Sequence, residues 1–207
     1  MTPAERLARG VRELRLDLPP DAHRRLLDYL GLMQKWNQVY SLTAVREPLD
    51  MVGQHLLDSL AVLPHIAAGH ILDVGSGAGL PGIPLAVALP EARLTLLDAN
   101  HKKATFLRQA LIDLELENAE VVCERAETWQ PDRTFDLVIS RAFSELQAFV
   151  ADAGTLAGAG GCLAAMKGVY PHEELTRIPA GYRLRDVIAL KVPYLRAERH
   201  LVLVEAA

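Results

Sequence analysis

Apolar positions fall into two textures along the chain, and the change comes near residue 70. Upstream they recur at spacings of three and four. Leu26, Leu30, Met33 and Asn37, joined by Leu27 and Trp36, mark one face of a helix opened by Asp21 or the prolines before it. Leu49, Val52, Leu56, Leu60 and Leu63 mark a second helix beginning near Pro48, a residue suited to a first helical turn. Downstream, short apolar runs alternate with helical stretches. Residues 70–74, 93–98, 119–123, 135–140 and 161–168 read as strands covered on both faces, and 80–89, 102–114 and 145–156 as helices between them. Residues 182–192 and 198–206 have no helix between them and are expected to form an antiparallel hairpin at the sheet's edge. The pattern predicts an α/β fold of Rossmann-like type: a doubly wound, mostly parallel seven-stranded sheet with a terminal antiparallel hairpin. A helical extension (1–69) would pack on the core (70–207), the two making one compact unit.

Composition narrows the class. Of 207 residues half are hydrophobic and 23% charged, which excludes wholesale disorder and supplies a sizeable core. Acidic residues outnumber basic ones 26 to 22, so the chain does not coat nucleic acid through bulk positive charge. Cys123 and Cys162 lack metal-ligand spacing and read as buried, reduced thiols, so no metal site is expected and a reducing cytoplasm suits the chain. The first residues carry charge where a signal peptide needs an apolar core, and no apolar run reaches membrane-spanning length. No membrane role is expected.

The chemistry is concentrated after the first predicted strand. There Gly75-Ser76-Gly77-Ala78-Gly79-Leu80-Pro81-Gly82 turns the chain into a helix. Without Cβ atoms such a backbone can turn sharply and approach a ligand at the carboxyl edge of the sheet. Asp73 precedes the turn, and Asp98 ends the next strand 19 residues beyond Gly79, where an acidic side chain accepts hydrogen bonds from ribose hydroxyls. The spacing is G-x-G-x-G and not the G-x-G-x-x-G of dinucleotide sites. Asp73 could receive the ammonium of a methionine moiety, which favours S-adenosylmethionine over a nicotinamide cofactor. The bland alternative is a turn that serves helix–strand packing alone.

The segment from Asp73 to Leu85 resembles the cofactor loop of the GidB/RsmG family, 16S ribosomal RNA methyltransferases acting on guanine N7. The resemblance extends through Lys35-Trp36-Asn37, Leu42 to Arg46, His55-x-x-Asp58-Ser59-Leu60, Phe106 to Gln109, Ile139-Ser140-Arg141-Ala142-Phe143, Lys167-Gly168 and Glu198 to Val202. Ser41 and Gln54 depart from the usual family residues, both in the helical extension. The resemblance implies a class I methyltransferase fold and methyl transfer from S-adenosylmethionine to N7 of a guanine in 16S ribosomal RNA. It implies cofactor contacts from Gly75 and Leu80, adenine contacts from Ala126 and Glu127, and a reach by Arg141 to cofactor or substrate. With Asp73, Ser76, Gly77, Gly79 and Asp98 these make the expected cofactor site.

Missing motifs agree with that reaction. No Asn/Asp-Pro-Pro-aromatic segment follows the fourth strand, as exocyclic-nitrogen methylation would want, and no Pro-Cys dipeptide supplies a nucleophile for pyrimidine C5. Guanine N7 has an in-plane lone pair and no proton, so alignment suffices. Arg141 and Lys167 are the candidates for steering substrate. Residues 162–207 carry seven Lys/Arg against five Asp/Glu, and Lys167, Arg196, Arg199 and His200 are the candidate RNA contacts. Arg141 could instead pair at the surface with Glu127 or Glu145. Phe143 could stack on a base or simply pack. His55 and Asp58 share a helix face and read as a hydrogen-bonded contact to the crevice and not as metal ligands. The expected partner is 16S ribosomal RNA within the small ribosomal subunit, whose other surfaces would complete docking for an acidic protein. Competing readings are a small-molecule or protein methyltransferase, a nicotinamide-dependent oxidoreductase and a non-catalytic ribosome-assembly factor.

Overall fold

A computed structural model describes residues 1–67 and 69–207. Seven strands form one sheet in the order β3–β2–β1–β4–β5–β7–β6. They are β1 (His70–Val74), β2 (Arg93–Leu97), β3 (Ala119–Val122), β4 (Phe135–Ser140), β5 (Ala157–Lys167), β6 (Tyr182–Ala189) and β7 (His200–Ala206). Parallel pairing joins β3, β2, β1, β4 and β5, and β7 runs antiparallel to both β5 and β6. The expected terminal hairpin is therefore present, with β7 inserted beside β5 and β6 outermost. From β1 the chain winds outward to β2 and β3, then returns to β4. That reversal leaves a crevice beyond the carboxyl ends of β1 and β4, the usual ligand position in such sheets.

Alternation along each strand divides the core. Ile71, Leu94, Leu96, Leu137 and Ile139 face one side, packed beneath α1 (Pro3–Glu13), α2 (Ala22–Asn37), α5 (Gly82–Ala88) and α6 (His101–Asp113). Leu72, Val74, Val138 and Leu163 face the other, packed against Leu146, Phe149 and Val150 of α7 (Leu146–Ala153). The helical extension shares the first of these clusters with the sheet, through Leu26, Tyr29, Leu30 and Met33 of α2.

Several elements depart from those expected, for identifiable reasons. Helix α1, absent from the expected elements, combines a cap with apolar spacing: Thr2 Oγ1 accepts from Glu5 N at 3.2 Å, Glu5 Oε2 accepts from Thr2 N at 2.7 Å, and Leu7, Val11 and Leu14 fall on its core-facing side. The helix begun at Pro48 is α3 (Pro48–Met51), a π-helical stretch over Val52–Leu57 and α4 (Asp58–Leu60) in unbroken succession. Wide π turns inside helices often accompany functional sites, and no spacing rule announces them. Strand β5 begins four residues before 161, because Ala157 to Gly161 run close beside β4. Cys162 therefore pairs with Leu137 in mid-strand and does not start it. A short α8 (His172–Leu175) follows β5.

Candidate functional site

Strand β1 delivers the glycine turn to the crevice, and its backbone is tied on three sides. Gly75 and Gly77 have φ of 69° and 61°, and a Cβ on Gly75 would lie 2.7 Å from that of Ala142. Gly75 N and Ser76 N donate to Leu97 O at 2.8 and 3.0 Å, fastening the turn to β2. Asp98, 8% exposed, accepts from Gly77 N and Asn100 N, each at 2.8 Å. From the helical extension, the buried hydroxyl of Tyr29 donates to Ala78 O at 2.5 Å. Burial holds that phenol well above its ordinary pKa of 10, so it stays a donor.

Beneath the turn lies Asp73, fully buried. Its Oδ2 accepts from Gly82 N at 3.0 Å, while Oδ1 has no partner among the described residues. Burial pushes this carboxyl up to about 7, against the hydrogen bond from Gly82, while Ser76 Oγ donates to the backbone carbonyl of the same residue at 2.9 Å. An orphaned buried carboxylate oxygen is a standing cost that an added cationic group would relieve.

A cavity of about 340 Å³ opens over the turn, lined by Gly75, Asp98, Ala126, Glu127, Ala142 and Phe143 among others. Its size and its acidic walls suit a nucleoside bearing hydroxyls and an amine. The predicted cofactor residues divide here. Gly75, Asp98, Ala126 and Glu127 form the wall. Ser76, Gly77 and Gly79 shape the turn from behind, and Leu80 is 5% exposed within the apolar core. Phe143 lines the cavity while packing on Phe149 at 5.3 Å between ring centroids, so it serves packing as well as the site. Arg125 and Asp152, which no motif singled out, join the wall.

A second cavity of about 320 Å³ adjoins at the segment Arg141-Ala142, lined by Gln54, His55, Asp58, Arg141, Lys167 and Arg199 among others. Arg141 faces this cavity, not the first, and its ion-pair partner is neither Glu127 nor Glu145. Its Nη1 donates to Asp58 Oδ2 and to Gln54 O, both at 3.1 Å. The wide turns before Asp58 bring the carboxylate under β4's end. Asp58 Oδ1 accepts from Arg199 Nε at 3.0 Å. The carboxylate is 1% exposed; burial raises its pKa, and the two arginines pull it back.

The other predicted contacts are distributed around this cavity. Lys167 pairs with Glu174 at 2.7 Å and donates to Ser144 O at 2.6 Å. His200 Nδ1 lies 2.8 Å from Gly168 O, with Tyr170 edge-on, and Arg196 is exposed outside. His55 lies 2.8 Å from the Thr43 hydroxyl, and Asn37 holds Thr43 in place through its backbone. Burial, helped by Arg141, lowers His55 to about 4, so it is neutral at physiological pH. Cys162 is buried. Cys123 is only half-buried, since β3 ends before it and its Sγ lies 3.3 Å from His101 Nδ1. Neither thiol lines either cavity. Among the described residues no group of three or more His, Cys, Asp or Glu could hold a metal ion. No described helix is long and apolar enough to cross a membrane.

The sequence matches the GidB family, rRNA small subunit methyltransferase G, over residues 22–202. The chain belongs to that family. A relative from Nitrosospira multiformis, named Ribosomal RNA small subunit methyltransferase G, is 54% identical over all of this chain and 99% of its own length. One of the same name from Laribacter hongkongensis is 56% identical over 96% of each chain. Among solved structures, the glycopeptide N-methyltransferase MtfA, complexed with S-adenosyl-L-homocysteine, superposes with a TM-score of 0.64 at 10% identity, covering 74% of this chain and 87% of its own. An S-adenosylmethionine-dependent methyltransferase from Aquifex aeolicus gives 0.59 at 21% identity, covering 72% and 90%. These likenesses establish the class I methyltransferase fold expected of the GidB family. Gln54, one of the two departures from the usual family residues, lies in the second cavity, where it uses its backbone carbonyl.

Proposed function

We propose that this protein transfers the methyl group of S-adenosylmethionine to N7 of a guanine in 16S ribosomal RNA, acting on the small ribosomal subunit in the cytoplasm. The observation that carries this reading is the junction at Arg141-Ala142. It joins an acidic, nucleoside-sized cavity to one walled by arginines, and neither presents a nucleophilic thiol.

The residues present fit the cofactor. Asp98 and Glu127 would take its hydroxyls and base, and the Gly75 turn would take its methionine end, with Asp73 sealed beneath the turn and bracing Gly82 N. Bound there, S-adenosylmethionine supplies an electrophilic methyl group. Guanine N7 brings its own lone pair and loses no proton, so the protein has only to align the two and exclude competing geometry. The imidazole lining the second cavity, His55, is bonded to the Thr43 hydroxyl through Nε2. Burial and Arg141 lower its pKa to about 4, so it is a poor base at physiological pH.

The consequence is testable. With cofactor and RNA saturating, the single-turnover rate of methyl transfer is expected to be flat from about pH 7 to about pH 8.5. A tenfold rise per pH unit would demand a general base and overturn the N7 assignment. Stabilisation against heating by S-adenosylmethionine but not by NAD is expected, and the reverse would reinstate an oxidoreductase.

A further inference from the structure

The second cavity carries more charge than its own residues balance. Arg141 and Arg199 share one carboxylate, that of Asp58, while Lys167 already has Glu174. One positive charge is left over. The donors are also unspent. Arg141 uses Nη1 alone, and Arg199 uses Nε on Asp58 and Nη1 on Glu198 O at 2.8 Å. Nε and Nη2 of Arg141 and Nη2 of Arg199 have no acceptor among the described residues, though each arginine side chain is only about a quarter exposed. Each guanidinium is held through one nitrogen by the buried carboxylate and again by a backbone carbonyl, Gln54 O or Glu198 O, which sets the direction of its remaining N–H groups and leaves them for an oxyanion. Neutral His55 neither competes for the anion nor adds to the charge.

We propose that this cavity is a subsite for one phosphate of the RNA backbone, and that Asp58 is the positioning residue that holds Arg141 and Arg199 together to form it. The proposal rests on the RNA-methylating function above. Three elements distant in sequence converge to build the subsite: the first residue of α4, the residue after β4 and the residue before β7. Asp58 thereby acts through the two arginines, without touching the phosphate.

The assignment makes an unusual demand. By charge count, removing Asp58's negative charge should tighten an anion. By positioning, it should loosen one. The probe is inorganic phosphate, titrated at constant ionic strength into full-length protein saturated with S-adenosylhomocysteine, followed through the arginine Nε–H resonances by NMR. Saturable shifts of the Arg141 and Arg199 signals are expected, with Kd raised at least threefold in Asp58→Asn and at least tenfold in Arg199→Gln. Tighter phosphate binding by Asp58→Asn would refute the positioning role. Phosphate binding lost on saturation with S-adenosylhomocysteine would assign the arginines to the cofactor's carboxylate and overturn the subsite. Arg199→Gln covers the case in which Asp58→Asn fails to fold. A second arm separates backbone phosphate from free phosphate. Arg199→Gln should lower the slope of log affinity against log salt for 16S RNA by about 0.7, the value for one single-strand phosphate contact. Weaker RNA binding with an unchanged slope would reject the backbone. Neither arm depends on turnover, so a protein that binds phosphate this way yet fails to methylate RNA would refute the function and leave the anion site standing.

Discussion

Asp98 offers the sharpest perturbation, because the structure gives it two distinct tasks. Its oxygens hold Gly77 N and Asn100 N at 2.8 Å, and its carboxylate also faces the first cavity. Replacing it with alanine orphans two backbone donors that are served by a charged acceptor, each such bond contributing about 1.5–3 kcal/mol. Water reaching the opened site offsets part of that loss, so the fold should lose about 2–3 kcal/mol, which for a chain of this size lowers Tm by very roughly 5–10 °C. If Asp98 also receives the cofactor's hydroxyls, affinity falls separately by at least tenfold, about 1.4 kcal/mol. The assay is calorimetric titration of S-adenosylhomocysteine into Asp98→Ala and Asp98→Asn, at a temperature where denaturant curves show both folded. Asn, keeping one acceptor oxygen, should lie between wild type and Ala. Destabilised variants that bind within threefold of wild type would refute the reasoning and reduce Asp98 to a brace for the turn.

Other consequences follow from buried groups. Tyr29→Phe strands Ala78 O inside the core and should cost about 1–3 kcal/mol in urea unfolding, with weaker cofactor binding through a looser turn. Unchanged stability would show that the turn stands without this clamp. His55 and Asp73 impose opposite pH dependences. His55, lowered from 6.5 to about 4, binds fewer protons folded than unfolded; its contribution is full above about pH 6.5 and is lost towards pH 4, roughly 3 kcal/mol in all. Asp73, raised from 3.8 to about 7, binds more protons folded; its contribution is full at low pH and is lost as pH rises to about 7. Asp73→Asn should therefore gain roughly 2–3 kcal/mol on wild type between pH 5 and pH 8 by urea unfolding, and an offset equal at both pH values would contradict the assignment.

Legibility in the sequence followed the physics of each feature. Strands covered on both faces write continuous apolar runs, and the glycine turn writes itself through positions such as Gly75, where a side chain would collide with Ala142. Asp98 was legible because its distance from the turn is fixed by one strand–helix–strand unit. Helix α1, though not among the expected elements, was legible in principle from both the cap Thr2-Pro3-x-Glu5 and the spacing of Leu7, Val11 and Leu14. Long-range partners were not legible. Nothing near Arg141 names Asp58, 83 residues earlier, nor does anything near Lys167 name Glu174, and Tyr29 looks like any core aromatic. The His55-x-x-Asp58 spacing pointed to the crevice, but the π turn that aims the carboxylate leaves no periodic trace.

The most direct test of the central claim is transfer of a labelled methyl group from S-adenosylmethionine to unmethylated 16S RNA, offered naked and within intact small subunits, with the modified atom located by mass spectrometry. Label on N7 of a single guanine, faster in the intact subunit, is the expected result. Label on another base atom, or none on either form from protein that still binds the cofactor, would contradict it.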